Sequence, residues 1–199
     1  CTATFVCKRD ETHRITLPCE VTSETVGNET TYTATVTFEG EEYTDVVKGD
    51  GVLRIYGKNR YKTSLKVAEY YKEIEGLEKF STVVIATGTN FPDALTGADL
   101  AIRKHAPLIM IDGTSAAEVT AYIKANMAEG GKIYVLGGKG AVEDAWLAEL
   151  SSFEITRLDG KNRYETNLSI LRELEVKSGD LFVCTGMNFA DALSSSAID

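Results

Sequence analysis

The chain lacks long apolar stretches. No run approaches the roughly 20 apolar residues that a membrane-spanning helix requires, and no signal peptide opens the sequence. Only 3 of the 199 residues are Pro, 43% are hydrophobic and 26% are charged, a composition typical of a soluble globular protein. We therefore predict no membrane span. Cys1 stands in the middle of a pattern and Asp199 follows soon after a repeated motif, so we expect both ends to lie within a longer protein.

Basic residues are also not in excess over acidic ones. Lys and Arg total 21 against 30 Asp and Glu, a formal net charge of −9. Proteins that bind nucleic acid without sequence preference need a basic face that displaces counterions from phosphates. The acidity therefore argues against nucleic acid as a partner. An anionic ligand must instead be held locally, by a few Arg side chains and backbone N–H groups.

The motifs of common catalytic sites are absent. The sequence contains no Gly-x-Ser-x-Gly elbow, no His-Glu-x-x-His pair and no paired-carboxylate metal motif. His105 is the only His after residue 51, and nothing assembles a nucleophile, a base and an oxyanion site. Asp93 and Asp191 are single carboxylates at predicted helix starts, where helix capping explains them. We predict a protein that is not an enzyme and uses no cofactor.

The 4 cysteines leave three states open. Cys7 and Cys19 are placed for a disulfide between paired strands, as an extracellular domain permits. Cys1, Cys7, His13 and Cys19 are alternatively a zinc site, but their spacing matches no tight Cys-x-x-Cys knuckle, so metal is less favoured than a disulfide or free thiols. Cys184 lies in an apolar run and is expected to be a small buried hydrophobe.

Residues 1–50 have the pattern of a small β-sheet domain followed by a linker. Thr31–Phe38 alternates with period two and is rich in β-branched and aromatic residues, and His13–Leu17 predicts another strand. Glu39–Glu42 predicts a hairpin turn. Lys48–Gly51 is typical of a linker, so a second domain is expected to begin near residue 51.

Short apolar runs alternate with amphipathic segments from residue 51 onward. Val83–Ala86, Pro107–Ile111 and Ile133–Leu136 are uninterrupted apolar runs, which are typical of parallel strands buried on both faces. Alternation of such strands with helices predicts a doubly wound α/β layer structure.

Three signals mark the ends of the helices between these strands. Pro92 suits the first turn of one helix, and Ser115–Glu118 has the form of a capping box at the start of the next. Gly130 and Gly131 predict the end of that second helix.

The α/β region contains the same two motifs twice, in the same order and about a hundred residues apart, which indicates an internal repeat. The motifs are Gly-Lys-Asn-Arg-Tyr-x-Thr at 57–63 and 160–166, and Thr-Gly-x-Asn-Phe-x-Asp-Ala-Leu at 87–95 and 185–193. We predict a first repeat at residues 51–152 and a second, truncated repeat at residues 153–199.

Polar and glycine residues of both copies form the candidate ligand site. Open α/β sheets bind ligands beyond the carboxyl ends of their strands, where backbone N–H groups and helix dipoles favour anions. The candidates are Asn59, Arg60, Thr87, Gly88, Asn90, Asp93, Gly137, Gly138, Asn162, Arg163, Asn188 and Asp191.

We favour a structural role for the same motifs slightly over a role in ligand binding. The motif glycine permits a turn, and its Asn can satisfy open backbone groups there. The Arg of each copy (Arg60, Arg163) can reach an Asp of the second motif (Asp93, Asp191) and hold two loops together. The phenylalanine of the second motif is expected to enter the core.

The repeated block resembles the cell-wall-binding repeat type 2 family of Gram-positive surface proteins over about three-quarters of the chain. The likeness is carried by Arg54–Thr63, Thr87–Leu95, Ala106–Ile109, Leu136–Gly138 with Ala141-Val142, Arg157–Thr166 and Thr185–Leu193. The resemblance implies Rossmann-like or Toprim-like α/β modules, usually three in tandem around a pseudo-threefold axis. It also implies an extracellular location at the cell wall and binding to anionic wall polymers.

Three functions follow, in descending order. The first is a non-catalytic module that anchors a secreted surface protein to anionic wall polysaccharide. The second is part of an amidase-like wall hydrolase, because such modules accompany those enzymes. The third is a structural spacer or adhesin in which the β-domain contacts a partner. An unpaired sheet edge in the second copy would favour association with further repeats or with itself.

Overall fold

The computed structural model describes residues 1–7, 12–27, 29–50, 54–176 and 183–195. The chain divides into two compact units, Cys1–Arg54 and Ile55–Asp199. The first unit is a small antiparallel β-structure and the second is a parallel α/β structure, which confirms the predicted fold class. Within these ranges no helix has the length and apolar character needed to cross a membrane.

The first unit consists of antiparallel strands. They are β1 (Thr2–Val6), β2 (Arg14–Pro18), β3 (Glu20–Val26), β4 (Glu29–Phe38) and β5 (Glu41–Asp50). β1 pairs with β2, and β3, β4 and β5 form a three-stranded sheet in that order. The predicted hairpin turn is confirmed: Glu39 and Gly40 have φ of 52° and 85°, as a tight turn between right-twisted strands requires.

Two predictions for this unit are wrong. The linker predicted at Lys48–Gly51 is largely strand, because β5 continues to Asp50; Gly51 lies outside the described residues. The Cys7–Cys19 disulfide, one of the three states left open by the sequence, would have to join opposite ends of the β1–β2 hairpin. Cys19 N donates to the Cys1 carbonyl (3.1 Å) at one end, and Cys7 N donates to the His13 carbonyl (3.1 Å) at the other.

That separation follows from strand geometry. Six residues at about 3.3 Å each place Cys19 roughly 20 Å from the Cys7 end, whereas the Cα atoms of a disulfide lie about 4.4–6.8 Å apart. The same separation prevents Cys1, Cys7, His13 and Cys19 from sharing one zinc ion. All four cysteines are free thiols, and Cys184 is exposed rather than buried.

The second unit is built on four parallel strands in the order β7-β6-β8-β9. Its elements are α1 (Arg60–Ile74), β6 (Phe80–Thr87), α2 (Pro92–Arg103), β7 (Leu108–Ile111), α3 (Ala116–Asn126), β8 (Met127–Leu136), a 3-10 helix (Asp144–Leu150), β9 (Glu154–Leu158), α4 (Arg163–Glu173) and α5 (Ala190–Ser195). The three apolar runs identified in the sequence are the buried strands β6, β7 and β8.

Helices cover both faces of the sheet. Successive residues of β6 point to opposite faces, so Val83 and Ile85 pack in a cluster with α1, α3 and the 3-10 helix. Val84 and Ala86 pack in a second cluster with α2 and α4. This arrangement explains why β6 is apolar at every position rather than at alternate ones.

The helix boundaries follow the sequence signals only in part. Pro92 is the first residue of α2 and α3 begins at Ala116, as predicted. The Ser115 side chain makes no capping bond; its Oγ instead accepts from Asp112 N at 2.9 Å. The predicted stop at Gly130 and Gly131 is wrong, because α3 ends at Asn126 and both glycines belong to β8.

The second sequence repeat contributes a strand and a helix to the sheet of the first. β9 pairs in parallel with β8, from Lys132 opposite Glu154 to Leu136 opposite Leu158. Leu158 of β9 and Ile170 of α4 are buried in the cluster formed with α2. The folded unit therefore crosses the boundary between residues 152 and 153 that separates the two sequence repeats.

A cleft between the two repeats

The Asn of the first motif is a helix cap in both copies. Asn59 Oδ1 accepts from Lys62 N at 3.0 Å at the start of α1. Asn162 Oδ1 accepts from Tyr164 N and Glu165 N, both at 3.0 Å, at the start of α4. These bonds satisfy N–H groups that an uncapped first turn leaves open.

The Arg and Tyr of the first motif hold the glycine of the second motif within each copy. Arg60 Nη1 donates to the Gly88 carbonyl and Arg163 Nη1 to the Gly186 carbonyl, each at 2.7 Å. A Cβ on Gly88 would overlap the ring of Tyr61, so a larger residue there would require the ring to move. The architectural interpretation holds for these residues, but the arginines bond to carbonyl oxygens and not to the predicted aspartates.

A cleft of about 310 Å³ lies beyond the carboxyl ends of β6 and β8, where the topology predicts a ligand site. The first repeat lines it with Thr87, Thr89, Asn90, Pro92, Asp93, Gly138, Gly140 and Ala141, and the second with Gly160, Asn162, Arg163 and Thr166. The cleft is thus shared by the two copies.

Arg163 supplies the positive charge of the cleft. Its guanidinium carbon lies 5.5 Å from the centre of the Phe91 ring, and Phe91 in turn packs edge-on against Phe189 with ring centres 5.9 Å apart. The prediction that these phenylalanines enter the core is wrong, since Phe91 is only partly buried and Phe189 is 51% exposed. They join the two copies and orient Arg163. Arg60, its counterpart, is exposed.

Asp93 supplies a negative charge to the same cleft. Burial raises the pKa of its carboxyl group, and the nearby charge of Arg163 partly offsets that rise. Oδ2 lies over the Cα of Gly137, which has φ of +91° and no room for a Cβ. Among the described residues no donor forms a hydrogen bond with this carboxylate. It does not cap α2, whose N-cap residue is Phe91.

A rigid glycine loop follows β8 at the edge of the cleft. The Gly138 carbonyl accepts from Ala141 N (2.8 Å) and Val142 N (3.1 Å). Arg157 clamps the loop by donating to the Gly137 carbonyl (2.7 Å) and the Val142 carbonyl (3.0 Å). Within the described chain the N–H groups of residues 138–140 have no backbone or side-chain acceptor, and Gly138 and Gly140 line the cleft. Unpaired backbone N–H groups of this kind can hold anions.

The cleft gathers half of the candidate residues named from the sequence. Thr87, Asn90, Asp93, Gly138, Asn162 and Arg163 line it, and Gly137 lies beneath Asp93. Arg60 and Gly88 line a neighbouring cavity, Asn188 lines a third, Asn59 caps α1 and Asp191 is exposed on α5.

Sequence reasoning missed the remaining lining residues, which are Thr89, Pro92, Gly140, Ala141, Gly160 and Thr166. Gly160 and Thr166 belong to the first motif, so their recurrence was a usable signal.

Sheet, cleft and recurring motifs define an α/β repeat protein in which residues of both copies line one cleft. The chain belongs to the cell wall binding domain 2 (CWB2) family, whose profile matches residues 54–147 and 157–199. The family confirms the resemblance found in the sequence and locates the protein at the cell surface, in contact with the cell wall.

Known relatives share the repeat region. The chain is 26% identical over 150 residues to N-acetylmuramoyl-L-alanine amidase LytC of Bacillus subtilis (strain 168), covering 75% of this chain and 28% of the relative. It is 24% identical over 148 residues to the amidase enhancer of the same organism, covering 74% of this chain and 19% of that protein. The chain therefore spans less than a third of either relative.

Two solved structures share the fold. Cwp8 from Clostridium difficile superposes with a TM-score of 0.52 at 19% identity, covering 78% of this chain and 33% of that structure. Cwp6 from the same organism gives a TM-score of 0.52 at 16% identity, covering 87% of this chain and 34% of that structure.

Proposed function

We propose that the cleft between the two repeats binds an anionic unit of a cell-wall polymer and thereby anchors the protein without a covalent bond. The observation that carries the proposal is that Arg163 lines one cleft together with Gly138 and Gly140, two glycines whose backbone N–H groups have no acceptor in the described part of the chain. A guanidinium and a cradle of backbone donors are together a site for phosphate or carboxylate. The proposed ligand residues are those of the candidate set that line the cleft.

A binding role fits the chemistry of the cleft better than catalysis. Asp93 and Arg163 are the charged residues among its described lining, which includes no Ser, Cys or His, so the nucleophile–histidine pair of common hydrolases is not assembled there. The sequence repeats at 51–152 and 153–199, after the β-domain at 1–50, are proposed as binding units that function in consecutive pairs. Further repeats, or a second molecule of this chain, would follow the second repeat and pair with it.

A wall-hydrolase protein is the second candidate, on the observation that one relative is named as an amidase. Because the chain spans 28% of that relative, the hydrolytic residues would lie in another part of a longer protein. Release of muramyl fragments from purified walls by this chain alone would support catalysis here and contradict the binding proposal.

The test is co-sedimentation of the chain with purified cell walls, before and after chemical removal of their anionic polymers. Binding is expected to disappear with the polymer. Arg163→Gln is expected to weaken binding by about tenfold or more, the value of one hydrogen bond to a charged group.

Arg60→Gln is the matched control, because it loses the equivalent bond to a glycine carbonyl but lies outside the cleft. It is expected to retain most of the binding. Equal loss in both variants, or binding that survives polymer removal, would contradict an anion site at Arg163.

A further inference from the structure

We propose that Cys1 and Cys19 are a modification site of the first unit. A small-molecule disulfide oxidises the two thiols to a bond across the β1–β2 hairpin, and this bond stabilises the hairpin. Both residues are thiols in the structure. The proposal concerns the β-domain and does not depend on what the cleft of the second unit binds.

The register of the hairpin places the two cysteines directly opposite each other. Thr2 pairs with Pro18 at the start of β1, and the ladder continues by one residue, because Cys19 N donates to the Cys1 carbonyl at 3.1 Å. Opposite residues joined in this way in an antiparallel pair have Cα atoms about 5.5 Å apart. That separation lies within the range of about 4.4–6.8 Å found for disulfides.

The two side chains lie on the same face of the hairpin. Ala3 lies opposite Leu17, and side chains two residues apart along a strand share a face, so Cys1 and Cys19 lie on the face of that pair. The Cβ atoms of directly opposite residues lie about 4.5–5.5 Å apart, against about 3.5–4.5 Å in a disulfide. The bond therefore needs an approach of about 1 Å. The pair lies at the open end of the hairpin, where the turn at the other end constrains the strands least.

Strand register selects this pair among the four cysteines. Cys7 lies at the turn end of the hairpin, where its N–H donates to the His13 carbonyl at 3.1 Å. A histidine and not a cysteine therefore stands opposite Cys7. Cys184 belongs to the second unit.

The chemistry is a thiol–disulfide exchange. Cys1 is exposed and Cys19 is partly buried, so the Cys1 thiolate attacks the small-molecule disulfide first and releases one small thiol. The Cys19 thiolate then attacks the Cys1 sulfur of the mixed disulfide and releases the second small thiol. The protein loses two electrons and two protons, and the small-molecule disulfide is reduced to two thiols. Disulfides persist at cell surfaces, where the family places this protein.

The β1–β2 hairpin has a physical need for such a bond. Among the described strands β1 and β2 pair with each other, whereas β3, β4 and β5 form a separate sheet. The Phe5 ring packs against Phe38, with ring centres 4.3 Å apart, and against Tyr43 at 5.0 Å, so an aromatic contact in the middle of the hairpin joins it to that sheet. An isolated two-stranded hairpin is marginally stable in water. A disulfide at its open end restricts the unpaired chain and so favours the paired state.

The experiment compares two variants of the whole chain that each keep two cysteines. Cys7→Ser combined with Cys184→Ser retains Cys1 and Cys19. The matched control, Cys1→Ser combined with Cys184→Ser, retains Cys7 and Cys19. Each variant is incubated at low protein concentration with oxidised glutathione, and its intact mass is measured. The first variant is expected to lose two hydrogen atoms and to gain no glutathione, as an internal disulfide requires. The control is expected to gain glutathione, because its two thiols lie at opposite ends of the hairpin.

The unmodified chain supplies a second readout. Cleavage after Phe5 and after Arg14 separates Cys1, Cys7 and Cys19 into different peptides, and after oxidation the peptides of Cys1 and Cys19 are expected to be linked. Amide hydrogen exchange in β1 and β2 is expected to slow by about tenfold or more on oxidation and to recover on reduction. The proposal is overturned if the first variant accumulates mixed disulfides with glutathione, or if both variants close an internal bond equally. Unchanged hydrogen exchange in the oxidised chain would overturn the stabilising role of the bond.

Discussion

At the scale of single residues, the two recurring motifs form one structural unit because their residues contact each other. Arg60 and Tyr61 of the first motif hold Gly88 of the second, one through a carbonyl bond and the other through ring contact. The same pair of contacts recurs between Arg163, Tyr164 and Gly186. A substitution in one motif would disturb its contact with the other, which explains why both motifs recur in the two copies while the sequence between them differs.

Gly88→Ala tests that contact. The added methyl group would overlap the Tyr61 ring, so the free energy of unfolding is expected to fall by about 1–3 kcal/mol, the range for overpacked sites. Chemical denaturation of the chain measures it. Gly140→Ala is the control, because a Cβ there meets nothing within 4 Å; similar losses in both variants would contradict the proposed role of the ring.

Asp112, in the loop between β7 and α3, makes a stability contribution that depends on pH. Burial acts to raise its pKa, but hydrogen bonds from Tyr61, Ser115 and Thr114 outweigh burial and lower the pKa to about 2. A carboxyl with a lower pKa in the folded state stabilises that state when ionised. The contribution is therefore present above the unfolded pKa and is lost as the pH falls towards 2.

Asp112→Asn is accordingly expected to lower the free energy of unfolding at pH 7 by about 1 kcal/mol, after allowance for solvent screening. The difference from the unmodified chain should shrink as the pH is lowered from about 4 towards 2, since Asp112 becomes protonated first in the unfolded state and then in the folded state as the pH approaches its pKa of about 2. Denaturation curves at several pH values measure it. A difference that stays constant across that range would show that ionisation of Asp112 is not the cause.

At the scale of elements, β9 and α4 connect the two copies. β9 adds the edge strand to the sheet of the first copy, and α4 buries Ile170 against it. The first copy without these elements would expose the edge of β8 and the apolar face formed by Val84 and Leu136.

Ile170→Ala tests this packing. Its side chain is 1% exposed, so truncation is expected to cost about 2–5 kcal/mol through lost burial and a cavity. Leu168→Ala is the matched control, because Leu168 lies on the same helix at 48% exposure and its loss should change stability little. Equal effects in thermal unfolding would mean that α4 does not contribute to the core of the first copy.

At the scale of the whole molecule, the net charge of the chain opposes binding of an anionic ligand, whereas the local charge in the cleft favours it. The chain carries a formal charge of −9 and its proposed ligand is an anion, so long-range repulsion slows their encounter. Arg163 and the loop donors act only at short range, inside the cleft.

Raising the ionic strength from about 10 to 150 mM shortens the Debye length from roughly 30 to 8 Å. The association rate with immobilised wall polymer is therefore expected to rise, while the dissociation rate also rises because the contact at Arg163 weakens. Surface plasmon resonance separates the two rates. An association rate that falls steeply with salt would indicate a basic docking surface in place of the cleft.

The sequence by itself determined the α/β class, the buried strands β6, β7 and β8, the small β-domain and the internal repeat. These depend on local pattern, since continuous apolar runs and recurring motifs are visible without knowledge of the fold. It also indicated the edge of the sheet at which the cleft lies, because parallel strands place their carboxyl ends together. The sequence pattern predicted a helix end at Gly130, but this residue lies in β8. The boundary depends on pairing with neighbouring strands, which the local sequence pattern does not show.

Only the tertiary structure decided which residues meet. The pairing of β9 with β8 brings Arg163 of the second copy to Asp93 of the first, while Arg60, with the same local sequence, stays outside. Strand register placed Cys7 opposite His13 and Cys19 opposite Cys1, which separated the predicted disulfide partners. In each case the physical reason is the same: contacts between residues far apart in sequence are set by strand order and register, and identical motifs therefore acquire different surroundings.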